Sequence, residues 1–132
     1  MGSQFRVREG IPIDQAPWGF SRWLSHPAST GARQMAALDA NLLPGQGHSF
    51  HKHPDQEEVL CVVEGEIEQW LDREKRTLKA GDAIFIAPGI VHATFNVSKE
   101  DARLLVFFGP CKGDGFEAVD MSGEAAWQGL RS

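Results

Sequence analysis

Apolar positions along this chain come in short runs, many of them alternating with polar residues, and each run stops at glycine, proline or a charged cluster. That pattern predicts strands, because successive side chains of a strand point to opposite faces. Strands are expected at residues 20–24, 33–43, 49–53, 58–63, 66–71, 76–79, 83–87, 91–97 and 103–108. Glu64-Gly65 separates two of these runs directly, which predicts a hairpin, with residues 72–75 as the polar tip of the next turn. A helical period is found only near the C-terminus, where a short helix is expected at residues 123–130. Many short strands with glycine and proline punctuation predict an all-β antiparallel sandwich or barrel.

The chain has 132 residues, of which 42% are hydrophobic and 23% charged. That length and balance predict one folded domain spanning residues 1–132, with no internal repeat or linker. Thirteen basic against eighteen acidic side chains leave a net charge of −5. A sequence-independent grip on nucleic acid or on an anionic membrane needs clustered lysine and arginine, so neither is an expected partner. The most apolar stretch, residues 83–91, is far short of the ~20 residues that span a bilayer. Arg6, Arg8, Glu9 and Asp14 interrupt the region where an apolar leader would lie, so a cytoplasmic location is expected. Cys61 and Cys111 lie in apolar runs and read as reduced, buried thiols.

Three of the five histidines fall into one pattern. His51 and His53 are two apart, so in a strand their imidazoles share a face, ~7 Å apart at the backbone. That is a workable bite for two metal bonds of ~2.0–2.2 Å. On the pair alone, an exposed His51-Lys52-His53 loop remains the alternative. Glu58 opens a strand and shares a face with Leu60 and Val62, with Glu57 as its rival. His92 opens another strand, and Thr94 and Asn96 share its face. Ser49 shares the face of His51 and His53. In the 66–71 strand Ile67, Gln69 and Leu71 are expected inward and Trp70 outward, although the bulk of Trp70 argues the other way. Ser49, Gln69, Thr94 and Asn96 are therefore the candidate pocket residues. His26 and His48 fall outside the pattern and read as surface residues. Trp18, Phe20 and Trp23 read as core or dimer interface outside the barrel.

The spacing has a wider meaning. Gly45, five residues, His51, one residue, His53, four residues, Glu58, six residues and Gly65 resemble the first motif of the cupin superfamily in full. Gly81, five residues, Ala87-Pro88-Gly89, two residues, His92, three residues and Asn96 resemble the second, with alanine where the family prefers proline. The resemblance implies a double-stranded β-helix, or jelly-roll barrel. It also implies one divalent transition metal per chain (Mn, Fe, Ni, Cu or Zn) held by His51, His53, Glu58 and His92. Three imidazoles and a carboxylate are suitable donors for such an ion. It further implies a small-molecule ligand or substrate and a homodimer. The function expected first is a metal-dependent enzyme acting on a small oxygen-rich molecule, by dioxygenation of an enol or diol or by isomerisation of a sugar acid. A non-catalytic ligand-binding module and a purely structural metal site are the rivals. An open coordination position facing a pocket separates the first from the last.

Overall fold

The computed structural model describes residues 2–113 and 115–131. Its strands are β1 (Asp14–Ala16), β2 (Gly19–Ser25), β3 (Ala36–Leu42), β4 (Gly47–Lys52), β5 (Glu57–Glu64) and β6 (Glu66–Leu71). They continue as β7 (Glu74–Lys79), β8 (Ala83–Ile86), β9 (His92–Phe95), β10 (Ala102–Gly109) and β11 (Val119–Asp120). One helical turn, α1 (Pro27–Thr30), follows β2 and ends at Gly31 in the left-handed conformation. Two antiparallel sheets result, ordered β1-β2-β3-β10-β5-β8 and β11-β4-β9-β6-β7. This is the all-β jelly-roll architecture that the alternating pattern predicts.

Alternation decides what lies between the sheets. In β10, Ala102, Leu104, Val106 and Phe108 are buried, while the residues between them are partly exposed. They meet Leu42, Leu60, Val62 and Ile67 in one core cluster. Full burial of such a side chain contributes roughly 2 kcal/mol. A second cluster covers the outer face of the five-stranded sheet, where Phe50, Trp70, Val91 and Ala93 lie beneath Met121, Trp127 and Leu130. The outward Trp70 is thus buried by the chain's own C-terminal segment.

Gly65 makes the β5–β6 hairpin possible. Its φ is +80°, and a Cβ there would stand 2.7 Å from the Asp101 carbonyl oxygen. A side chain is excluded on both counts.

The structure differs from the sequence expectations at three places in the fold. Residues 123–130 are not a helix but a succession of turns, closed by bonds such as Trp127 N–H to the Glu124 carbonyl. Their apolar positions match a helical period because Trp127 and Leu130 must both reach the sheet below. Trp18 and Trp23 pack against the core cluster from within, not outside the barrel. His26 is no plain surface residue: it caps α1, with Nδ1 accepting from the Ala28 amide at 3.0 Å. Among the described residues, no helix is long and apolar enough to cross a membrane.

Candidate metal centre

Two paired strands and a facing sheet bring the site together. β4 and β9 are hydrogen-bonded neighbours, and their register sets His51 directly opposite His92. Their rings stand 4.3 Å apart between centroids. His53 follows the end of β4, with its ring 5.1 Å from His51 and 5.2 Å from His92. One ligating atom from each histidine lies within 4.8 Å of the others. Glu58 reaches the same point from β5, across the barrel. Its Oε1 is 3.1 Å from Nε2 of both His53 and His92. Glu57, its rival by sequence, is exposed.

The backbone sets the tautomers. Nδ1 of His51 lies 2.7 Å from the Ser49 carbonyl, that of His53 2.8 Å from the Glu117 carbonyl, and that of His92 3.0 Å from the Ile90 carbonyl. A carbonyl only accepts, so each Nδ1 carries a proton, which leaves each Nε2 to turn a lone pair inward when the imidazole is neutral, the form in which it can ligate a metal. Lone pairs on nitrogen then face a carboxylate oxygen at 3.1 Å, which is repulsive without a cation between them. Glu58 Oε1 and His92 Nε2 are buried and have no hydrogen-bond partner. Two ligands bound at ~2.1 Å and roughly at right angles lie ~3 Å apart, so the spacing and the donor chemistry both fit a borderline divalent metal.

The titration behaviour follows from the same packing. Burial, reinforced by the neighbouring His92 and His53, pushes His51 down to about 4. Burial would raise Glu58, but hydrogen bonds and positive charge from His53 and His92, when these carry a second proton in place of a metal, outweigh it and hold the carboxyl at about 2. Burial likewise opposes charge on His53, yet the Glu58 carboxylate and the Glu117 carbonyl raise its pKa on balance. The centre thus holds a permanent carboxylate beside a neutral His51 near neutral pH.

A cavity of about 320 Å³ opens beside this cluster, and all four residues line it. Of the pocket candidates Thr94 lies on its wall. Gln69 stands behind Thr94, accepting its hydroxyl proton at 2.6 Å, and does not itself line the cavity. Asn96 is fully buried and holds a turn, its amide donating to the Leu42 and Glu100 carbonyls. Ser49 is exposed and faces an outer depression beside Phe50 and Trp127. The cause is a register shift between His48 and His51 in the β4–β9 pairing. An irregularity there turns Ser49 out and His48 in. His48, read from the sequence as a surface residue, is in fact a cavity wall, packed edge-on to Trp18 at 4.8 Å. Burial lowers its pKa.

Gln56 supports the candidate site and was not found from the sequence. It is 2% exposed, and its amide donates to the Pro110 and Gly115 carbonyls while its carbonyl accepts from the Glu117 amide. It thereby fixes the loop whose Glu117 carbonyl orients His53. The only signal in the sequence was a polar residue two positions before Glu58.

A cupin-domain family description matches residues 39–108, a stretch containing every one of these ligand candidates. The chain is a cupin. Among its relatives are the polyketide synthase CurC of Streptomyces cyaneus, 36% identical over 70% of this chain and 60% of that protein, and the protein SchB of Streptomyces halstedii, 30% identical over 77% and 74%. This cupin therefore spans less than two thirds of CurC. KdgF from a Halomonas species superposes with a TM-score of 0.75 at 21% identity, over 84% of this chain and 96% of that one. Oxalate decarboxylase of Lactobacillus farciminis, solved as a formate complex, gives 0.72 at 18% identity over 86% and 34%. At such identities these two structures speak for the fold.

Proposed function

We propose that this cupin is a metal-dependent enzyme acting on a small oxygen-bearing molecule, an enol, a diol or a sugar acid. His51, His53, His92 and Glu58 would hold one divalent transition metal. The observation that carries this reading is the convergence of three imidazoles, each oriented by a backbone carbonyl, on a buried carboxylate that has no hydrogen-bond partner. When bound, the metal supplies Lewis acidity that polarises oxygen atoms of the substrate. The protein supplies the rest: rigid ligand orientation from backbone carbonyls and from Gln56, and a largely apolar cavity that excludes water around the reacting group. The cluster opens on a cavity and is not sealed by side chains, which supports an enzyme over a closed structural site. The relatives' names, a polyketide synthase, KdgF and an oxalate decarboxylase, support a small oxygen-rich substrate. Two free thiols, Cys61 and Cys111, fit a reducing cytoplasm.

The test is turnover. Metal-loaded protein is screened against enols, diols and sugar acids, with His51→Ala/His53→Ala as control. Turnover that disappears in the control is expected. Metal-bound protein that turns over none of the three classes would leave a binding module instead.

We also propose a homodimer formed through the outer face of the six-stranded sheet. The registers of β5, β8 and β10 place Phe107, Val59 and Phe85 in one row and Leu105, Cys61 and Ala83 in the next. Phe85 is 56% exposed.

A further inference from the structure

The walls of the metal-centre cavity carry information about the ligand that its metal-ligand candidates do not. Its lining is largely apolar and includes Trp18, Trp23, Leu38, Leu104, Val106 and Phe116. Phe116 lies 6.0 Å from Trp23 and stacks on Phe108 at 5.0 Å. Such surfaces favour a flat ring system. Polar ligand atoms set against them lose hydration without gaining partners. A cavity of 150 Å³ accommodates one benzene ring, so about twice that volume suits two fused rings.

The few polar groups are selective. Thr94 donates its hydroxyl proton to Gln69 Oε1 at 2.6 Å, and the Gln69 amide is locked in turn by donating to the Trp70 carbonyl at 3.2 Å. Thr94 therefore offers the cavity only lone pairs, and it asks for a donor: a hydroxyl, not a carboxylate. Among the described residues, no lysine or arginine lines the cavity, whereas Asp14 does. A divalent metal beside the Glu58 carboxylate leaves one positive charge, enough for one ionised ligand oxygen. The other polar walls, the Ser21 hydroxyl and the His48 imidazole, can hydrogen-bond an oxygen, but burial disfavours charge on His48, so a further carboxylate would meet no counter-charge and would face Asp14.

On the metal-centre reading above, we infer that the cavity takes a flat aromatic enol or phenol bearing adjacent oxygens and no carboxylate, and that it discriminates against sugar acids. Thr94 is the specificity-determining residue, and Trp18 is the ring platform.

Calorimetry on the Zn²⁺-loaded 132-residue chain tests this with two probes, a naphthalene diol with adjacent hydroxyls and galacturonate. The diol is expected to bind at least about tenfold more tightly. Thr94→Val should weaken the diol about fivefold, the worth of one hydrogen bond, while Thr94→Ser retains it. Because Thr94→Val leaves Gln69 Oε1 without its donor, Trp18→Leu serves as a second variant and should weaken the diol by a similar factor. Galacturonate binding as tightly as the diol, or diol affinity unchanged in both Thr94→Val and Trp18→Leu, would overturn the inference. Failure to take up Zn²⁺ would overturn the metal reading instead. Naphthol against galacturonate on metal-free protein then decides the ligand class, naphthol being expected to bind and galacturonate not. Galacturonate binding there in preference to naphthol would again overturn it.

Discussion

A buried carboxylate persists only where partners replace its lost hydration. At Glu58, whose buried Oε1 has no hydrogen-bond partner, the proposed cation would supply that replacement, and Asp39 finds its partners in arginine. Asp39 is 6% exposed and takes Arg103 through both oxygens, at 3.0 and 2.9 Å, with Arg8 at 3.6 Å. Burial pushes its pKa up, but the two arginines outweigh burial and hold it below its ordinary 3.8. A depressed acid contributes stability above its unfolded pKa and loses it as pH falls through the folded one. Urea titrations across the acid range should therefore show wild-type stability falling below pH 3.8, with a shallower fall in Asp39→Asn. At neutral pH the variant should be weaker by about 1 kcal/mol, given the partly exposed Arg103. Parallel slopes would remove Asp39 from the account. The spacing of the candidate metal ligands was legible at this scale because motif glycines frame it. His48 was not, because an irregularity between His48 and His51 has no residue signature.

Strands were the most legible elements, since a half-buried strand writes its two faces directly into the order of residues. Alternation placed Ile67 and Gln69 inside and Trp70 outside correctly, and Trp70 looked anomalous only because its cover comes from residues 121–130, far away in sequence. That same tail misread as a helix, since a periodic contact with a sheet can be made by consecutive turns. The short strands β1 and β11 are two or three residues long and leave no period to detect. Gly65 was legible for the opposite reason: one residue alone serves a reversal at φ +80°. Gly65→Ala should cost about 2 kcal/mol or more through left-handed strain and the clash with the Asp101 carbonyl, read as a lowered urea midpoint. An unchanged midpoint would mean that the hairpin relaxes freely.

At the scale of the molecule, one sheet covers its outer face with the C-terminal segment, and the other leaves Phe85 exposed. A stable dimer interface buries about 1,600 Å² in total and tolerates no buried, unpaired charge at its centre. Phe85→Glu should therefore sediment as a monomer under conditions in which the wild type sediments as a dimer, with the metal content unchanged. A wild type that is already monomeric would rule out the dimer. On the proposed reading the fold holds metal ligands from two sheets at one point, and that is most directly examined by counting metal. Elemental analysis of protein isolated without chelator should find close to one transition metal per chain, and none in His51→Ala/His53→Ala. Metal retained undiminished by the double variant would contradict the account.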